Sequence, residues 1–273
     1  YQRGVPRSGR RALRLTPPCK RGPPFDMATT TPPIRLRYFK LTLMLGWLGH
    51  VGGAWSTPVP LRDGAMDQTE VTIAQFAQFV QATGLVTQAE REGGGFEFTA
   101  GWQRRPGWTW RAPHGETRAD PRLPAVHVTH AEAARYCAWA GGALPTAQQW
   151  QDAAYLEQRA TPTNGFTTGQ RYPYPTGNDP RGANTSHPDP WPQSAPAGAT
   201  RVGVNGLYDM GANVWEWVSD AQGDTRRTMG GSWWYPPYQM QANVVAYKPA
   251  DFYAVYIGFR CAYPAAGSAA SRG

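Results

Sequence analysis

Charged residues are scarce in this 273-residue sequence, and Asp, Glu, Lys and Arg together make up only 17% of it. The chain also carries 31 glycines and 26 prolines, and this combination argues against a coiled coil or a helical bundle. Aromatic residues are abundant instead. The 12 tryptophans and 13 tyrosines argue against a disordered chain. The composition therefore predicts a compact, loop-rich domain in which aromatic side chains supply much of the core.

The positive charge is confined to one end of the chain. The formal net charge is +8 at pH 7, which by itself would suggest a nucleic acid or an anionic membrane as partner. However, the first 56 residues contain ten basic residues and one acidic residue, whereas the remaining 217 contain 17 basic and 18 acidic residues. Since the body is nearly neutral, we predict no nucleic-acid partner.

The apolar run near the start of the chain is too short for a permanent membrane anchor. It covers residues 41–54, about 14 residues, whereas a spanning helix needs about 20. Three basic residues (Arg35, Arg37 and Lys40) precede it, and a small-residue cleavage pattern ends at Ser56. These features are typical of a secretory signal peptide. An uncleaved anchor and a chance apolar segment are the alternatives.

The leader divides the chain into three parts. Residues 27–56 are the predicted signal peptide, and residues 57–273 are the predicted domain. Residues 1–26 precede the signal peptide and are interpreted as an upstream extension that is not part of the mature protein, or else as a basic arm. We expect a periplasmic or secreted protein that meets the membrane only through its export signal.

The mature chain has only two cysteines, because Cys19 lies in the upstream extension. In an exported protein, Cys137 and Cys261 most simply form a disulfide. The bond would close a loop of more than a hundred residues and, in the chain-entropy model, would stabilise the fold by about 4–5 kcal/mol. Two buried free thiols are the alternative.

The body contains signals for short helices and strands but no internal repeat and no domain boundary. Thr or Ser followed three residues later by Glu or Gln is a capping box, which begins a helix. Such boxes begin at Thr72, Thr129 and Thr146. Strands are predicted over residues 125–128, 214–218, 229–234 and 256–262. The pattern predicts one irregular α+β domain.

Several short motifs follow one another in a recognisable order. They are Glu70-Val71-Thr72, Cys137-Ala138-Trp139-Ala140-Gly141, Leu144-Pro145-Thr146, Gly206-Leu207-Tyr208-Asp209-Met210, Asn213-Val214-Trp215-Glu216-Trp217, Gly230-Gly231-Ser232-Trp233 and Gly258-Phe259-Arg260-Cys261. Together they resemble the formylglycine-generating enzyme, or sulfatase-modifying factor, family across residues 63–262. The resemblance implies a C-type-lectin-like fold with little regular secondary structure. It also implies that Cys137 and Cys261 form the long-range disulfide of the family.

The resemblance further implies two structural calcium sites. The first set is Asn184, Thr185, Asp189 and Trp191, and the second is Asp209, Ala212, Val214 and Glu216. Side-chain and main-chain oxygens of this kind suit Ca²⁺, which takes six to eight oxygen ligands. Ala212 replaces a family glycine, so a requirement for positive φ there would strain the second site. Ordinary turn and capping roles are the alternative for these polar groups.

The catalytic copper site of the family is missing. Active members use two cysteines, five residues apart, because soft thiolates bind copper(I). Tyr235 and Met240 occupy these two positions here. A copper dithiolate mechanism is therefore excluded, the catalytic residues are unknown, and so is any redox metal. His127 and His130 form the closest histidine pair, for which a structural role is favoured over a metal site.

An aromatic segment follows the Gly-Gly-Ser motif, from Trp233 to Tyr238. In the family this region lines the substrate groove, and an aromatic, proline-stiffened wall suits a peptide or a small peptide-derived ligand. The predicted groove residues are Trp234, Tyr235, Tyr238 and Asp251. The alternative is that these rings fill a core that has few strands.

Three functions follow from these features. The first is an exported oxidoreductase that acts on a peptide or siderophore-like substrate without copper, similar to the periplasmic oxidase that completes the pyoverdine chromophore. The second is a non-catalytic, calcium-stabilised, lectin-like binding module. The third, conversion of a sulfatase cysteine to formylglycine, is disfavoured by Tyr235 and Met240. The oligomeric state is left open.

Overall fold

Short helices and strands alternate with long ordered loops in the computed structural model, which describes residues 57–265. The helices are α1 (Ile73–Thr83), α2 (Gln88–Arg91), α3 (His130–Trp139) and α4 (Ala147–Tyr155), with 3-10 helices at Val204–Gly206 and Pro237–Met240. The strands are β1 (Val59–Leu61), β2 (Gly64–Met66), β3 (Gly94–Phe98), β4 (Trp102–Pro106), β5 (Trp215–Gln222), β6 (Thr225–Met229), β7 (Ala246–Pro249), β8 (Ile257–Gly258) and β9 (Ala262–Tyr263).

The predicted signal peptide and upstream extension lie outside the described residues. Within residues 57–265, which belong to one compact unit of the chain, no helix is both long and apolar enough to cross a membrane.

The predicted capping boxes begin helices, as expected from their hydrogen bonds. Thr72, Thr129 and Thr146 each accept a hydrogen bond from the third residue of the helix, whose own side chain accepts one from the threonine N–H. Helix α1 ends at Gly84, which has φ of 67° and so adopts the left-handed conformation that glycine tolerates best. A fourth box at Thr87 begins the short helix α2. The three predicted helices are confirmed.

The strands form three small sheets. In the first, β2 pairs antiparallel with both β1 and β9, so the beginning and the end of the described chain meet there. The second sheet is the β3–β4 hairpin. The third has the order β7-β6-β5-β8, in which β8 runs parallel to β5 and the other pairs are antiparallel.

Only one of the four predicted strands matches a single observed strand. Residues 214–218 correspond to the start of β5, but residues 125–128 form no strand, because His127 has φ of 56° and interrupts the extended backbone. Residues 229–234 turn away after Met229, because Gly230 and Gly231 have φ of 96° and 81°. Residues 256–262 divide between β8 and β9, in separate sheets.

The core is built largely of aromatic rings, as the composition predicted. Phe76 of α1 lies within 6.2 Å, between ring centroids, of four other buried rings: Phe79, Trp110, Tyr136 and Phe259. Such edge-to-face and offset contacts stabilise a core beyond the effect of buried area. A disulfide between Cys137 of α3 and Cys261, with Cα atoms 5.4 Å apart, closes this core, and the predicted pairing is confirmed.

Candidate functional site

Tyr235 and Met240 lie in different environments, although they occupy the two positions expected for a copper site. Tyr235 is half-buried, and its ring packs edge-on against Trp215 and Tyr256 with centroid distances of 5.7 and 5.8 Å. Met240 is only 1% exposed and packs beneath the surface with Ala212. Met240 therefore contributes packing, and Tyr235 alone of the two reaches the surface.

One of the residues that pack against Tyr235 has a buried hydrogen-bond donor without an acceptor. Trp215 begins β5 and Tyr256 precedes β8, and the backbone N–H of Trp215 donates to the Tyr256 carbonyl oxygen over 2.9 Å. The Trp215 indole N–H is buried and has no hydrogen-bond partner among residues 57–265, whereas the buried Tyr256 hydroxyl interacts with the Tyr235 phenol. Burial raises the pKa of Tyr256, and the neighbouring Tyr235 phenol raises it further. The Tyr256 hydroxyl therefore stays protonated at neutral pH. We call Trp215, Tyr235 and Tyr256 the phenol cluster.

The β3–β4 hairpin adds an aromatic surface that the sequence did not predict. Phe98 and Trp102 face each other across the hairpin and are both exposed. The Trp102 ring contacts Phe252 at 4.8 Å and Tyr256 at 5.9 Å between centroids. Rings therefore continue from the phenol cluster to the tip of the hairpin. No motif signals this contact, because it joins residues about 150 positions apart in the chain.

A cavity of about 520 Å³ opens beside Trp233 and Trp234, the two residues that precede Tyr235 in the chain. Its wall is formed by aromatic, proline and small polar residues: Thr185, Ser186, His187, Pro188, Asp189, Trp191, Pro192, Trp233 and Trp234. The backbone N–H of Ser186 donates to the Tyr235 carbonyl oxygen over 3.0 Å, so the cavity adjoins the phenol cluster. We call this space the Trp234 cavity.

Only part of the predicted groove lines this cavity. Trp234 is exposed and lies in the wall, and Tyr235 is its chain neighbour. Tyr238 and Asp251 are exposed, but they do not line this cavity and are not members of the phenol cluster. The sequence analysis assigned Thr185, Asp189 and Trp191 only to a calcium site and did not predict that they line this cavity.

A comparison with known protein families decides what this fold is. The family described as "Sulfatase-modifying factor enzyme 1-like domain" matches residues 54–265. This chain belongs to the sulfatase-modifying factor family. The resemblance carried by the short motifs is confirmed, and the match covers every described residue.

Relatives within the sulfatase-modifying factor family include both active and inactive proteins. A formylglycine-generating enzyme of Thermomonospora curvata is 31% identical, over 72% of this chain and 80% of that protein. An inactive C-alpha-formylglycine-generating enzyme 2 of Mus musculus is 29% identical, over 78% of this chain and 79% of that protein. Membership of the family therefore does not by itself establish catalysis.

A solved structure extends the comparison to the fold. PvdO from Pseudomonas aeruginosa matches with a TM-score of 0.55 at 20% sequence identity, over 74% of this chain and 80% of that one. At this identity the likeness concerns the fold alone. The predicted class, an irregular, loop-rich α+β fold of the C-type-lectin-like type, is confirmed.

The first calcium set of the family has an oxygen available for a cation. Asn184 is fully buried, and its side-chain amide donates to the Gln193 carbonyl oxygen at 2.8 Å and to Asn213 Oδ1 at 3.0 Å. These bonds fix the amide orientation, and Asn184 Oδ1 has no partner among the described residues. The Asp189 carboxylate accepts from the backbone N–H groups of Thr185 and Trp191. Oxygen donors of this kind fit Ca²⁺.

The side chains of the second set are already engaged. Both Glu216 oxygens accept from Arg260, and one also accepts from the Trp150 indole N–H at 2.7 Å. The Asp209 oxygens accept from the Gly198 N–H and the Thr200 hydroxyl. Ala212 adopts φ of 68°, the strained conformation foreseen from its replacement of glycine. These side chains therefore do not fit a second Ca²⁺.

The histidine pair does not converge on a common point. His127 is fully buried, and its Nε2 lies 2.9 Å from the Pro113 carbonyl oxygen. His130 Nε2 lies 3.0 Å from the carbonyl oxygen of Val218. Within residues 57–265, no three His, Cys, Asp or Glu side chains form a group suited to a metal ion. The structure agrees with a structural role for His127.

The buried His127 makes the stability of the protein depend on pH. Burial lowers the pKa of His127 to about 3, whereas an unfolded-state histidine titrates near 6.5. Between these values the unfolded state binds more protons, so stability falls as pH falls. From pH 7 to pH 4.5, we expect this histidine to remove about 2–3 kcal/mol from the free energy of unfolding. Urea titrations across this range measure the loss.

The control for this prediction is a second histidine. A His127→Asn variant should lose this part of the pH dependence, whereas His187→Asn, at an exposed position, should keep the wild-type slope. Equal slopes for the wild type and His127→Asn would contradict the prediction.

Proposed function

We propose that this chain is an exported binding protein, periplasmic or secreted, whose Trp234 cavity and phenol cluster hold a peptide or a small peptide-derived ligand. The observation that carries the proposal is the position of Tyr235. Where active relatives are expected to place a copper-binding cysteine, this chain has a half-buried tyrosine, and the preceding residue, Trp234, lines a cavity of about 520 Å³. That volume is typical of a ligand site lined by aromatic and apolar groups.

The wall of the Trp234 cavity supports a peptide ligand. It combines the rings of Trp191, Trp233 and Trp234 with two prolines and with the polar side chains of Thr185 and Ser186. Aromatic or proline side chains of a peptide can pack on Trp191 and Trp234, and the hydroxyl groups can bond to its backbone.

The charge and the leader support the rest of the proposal. The chain from residue 57 carries 17 basic and 18 acidic residues, which favours neither nucleic acid nor an anionic membrane surface. The signal-peptide pattern favours export, and the first oxygen set favours one structural Ca²⁺.

Selection of peptides from a random display library tests the proposal. We expect the protein to enrich sequences that contain Tyr, Trp or Pro. Trp234→Ala should weaken the selected peptides about 30-fold, because buried tryptophans contribute most to such interfaces. Fluorescence anisotropy with labelled peptides measures the affinity.

Tyr238 provides the matched control for this experiment. It is an exposed ring four residues from Trp234 but does not line the cavity. Tyr238→Ala should therefore change affinity less than twofold. If both variants bind as the wild type does, or if no peptide is enriched, the proposal is wrong.

A second candidate function adds redox chemistry to the same site. The observation that favours an oxidoreductase is the contact between the phenols of Tyr235 and Tyr256. Oxygen uptake with a bound aromatic peptide or a siderophore precursor tests this function. Tyr235→Phe should abolish the uptake, because phenylalanine keeps the ring but has no hydroxyl to oxidise. If the wild type takes up no oxygen, the oxidoreductase function is wrong and only the binding function is left.

A further inference from the structure

The loop of residues 184–193 contributes both to the candidate calcium site and to the wall of the Trp234 cavity. The side-chain oxygen of Asn184 is buried, and residues 185–189, 191 and 192 form one wall of the Trp234 cavity. We infer that Ca²⁺ binding to this loop raises the affinity of the Trp234 cavity for its peptide ligand, an inference that rests on the proposed function.

The argument begins with Asn184 Oδ1. This oxygen is buried, and the amide nitrogen of the same side chain is held by two acceptors, so the oxygen cannot exchange places with it. A buried carbonyl without a donor is rare because it costs free energy. A hard cation satisfies it, and the Asp189 carboxylate supplies the negative charge.

Hydrogen bonds connect this oxygen set to both walls of the cavity. The Asn213 backbone N–H donates to the Asn184 carbonyl oxygen at 3.0 Å, and the Trp233 N–H donates to the Asn213 carbonyl oxygen at 2.9 Å. On the other side, the Ser186 N–H donates to the Tyr235 carbonyl oxygen at 3.0 Å. A cation that fixes the loop therefore also fixes the backbone of the residues that flank Trp234.

The coupling follows from the cost of ordering the loop. Without Ca²⁺, the loop has more conformations. A ligand that binds only one of them loses binding free energy, because its binding must also order the loop. With Ca²⁺ bound, this entropy is already lost before the ligand arrives. Linkage is reciprocal, so the ligand must raise the Ca²⁺ affinity by the same factor.

The first measurement uses calcium alone. Equilibrium dialysis should show one Ca²⁺ per chain, and hydrogen exchange of residues 184–193 should slow when Ca²⁺ binds. Asp189→Asn should abolish both effects. Asp179→Asn is the matched control, because Asp179 also accepts the backbone N–H two residues on, from Arg181, but lies outside the oxygen set. Binding that persists in Asp189→Asn, or no binding by the wild type, would overturn the inference.

The second measurement uses the selected peptides. Their affinity should fall about tenfold when EGTA replaces Ca²⁺, and this difference should disappear in Asp189→Asn. Equal peptide affinity with and without Ca²⁺ would overturn the coupling and leave the proposed function intact. If no peptide binds in either condition, the proposed function itself fails, and the inference fails with it.

Discussion

Replacement of Arg260 by methionine is expected to lower the free energy of unfolding by about 4 kcal/mol. The Arg260 guanidinium is completely buried, and each of its five N–H groups has an acceptor. Two of these N–H groups form a forked ion pair with Glu216, and the others donate to backbone carbonyl oxygens of Asp67, Gln68 and Tyr208. Methionine fills similar space but removes all five donors, and the Glu216 carboxylate then keeps only the Trp150 indole N–H as a partner.

The surrounding carboxyl groups increase the expected effect. Glu70, Asp209 and Glu216 are all buried around the one guanidinium. Burial and the neighbouring carboxyl groups raise the pKa of Glu70 well above its usual value, and burial also raises the pKa of Asp209. Arg260 opposes both shifts. Without it, the protein must bury negative charge alone or take up protons.

Urea unfolding of the variant measures the loss, and a surface pair provides the control. Arg181 makes a similar fork with Asp179, but its side chain is 84% exposed. Arg181→Met should change the free energy of unfolding far less than Arg260→Met does, because water screens an exposed pair. Arg260→Lys keeps the positive charge but loses the forked ion pair, so its free energy of unfolding should lie between those of Arg260→Met and Arg181→Met. Equal stability of Arg260→Met and Arg181→Met would contradict the prediction.

Removal of the disulfide should destabilise the protein by about 4–5 kcal/mol. The bond joins Cys137 to Cys261, which are 124 residues apart in sequence, so it restricts a very long loop in the unfolded chain. Both residues are fully buried in the aromatic core. In a Cys137→Ala/Cys261→Ala variant, only small cavities should add to this loss of restriction.

Urea unfolding of oxidised and reduced wild type, beside the double variant, measures this effect. Reduced wild type and the double variant should be destabilised to a similar degree, because both lose the cross-link. A Cys19→Ala variant, changed outside the described residues, should unfold like the oxidised wild type. A double variant as stable as the oxidised protein would show that the bond contributes nothing.

The helices could be predicted because their signals are local. Each capping box lies within four consecutive residues, and all three predicted boxes begin helices. The box at Thr87 and Glu90 has the same pattern and was available in the sequence, although it begins only one turn of helix. The strands were harder, because positive φ at His127 and at Gly230 depends on tertiary contacts.

Only those residues of the candidate site that follow a recognisable motif could be predicted from the sequence. The order placed Tyr235 and Trp234 beside a groove, and both adjoin the cavity. It could not show that Trp102 reaches Tyr256, or that the Glu216 carboxylate is occupied by Arg260. Both contacts join distant segments, and no local pattern encodes the distance between them.

The most direct test of the central claim is a crystal structure of the protein with a selected peptide. We predict that the peptide lies between Trp191 and Trp234, with one of its aromatic or proline side chains packed on the Trp234 ring. A peptide bound at another surface, with the Trp234 cavity empty, would contradict the account.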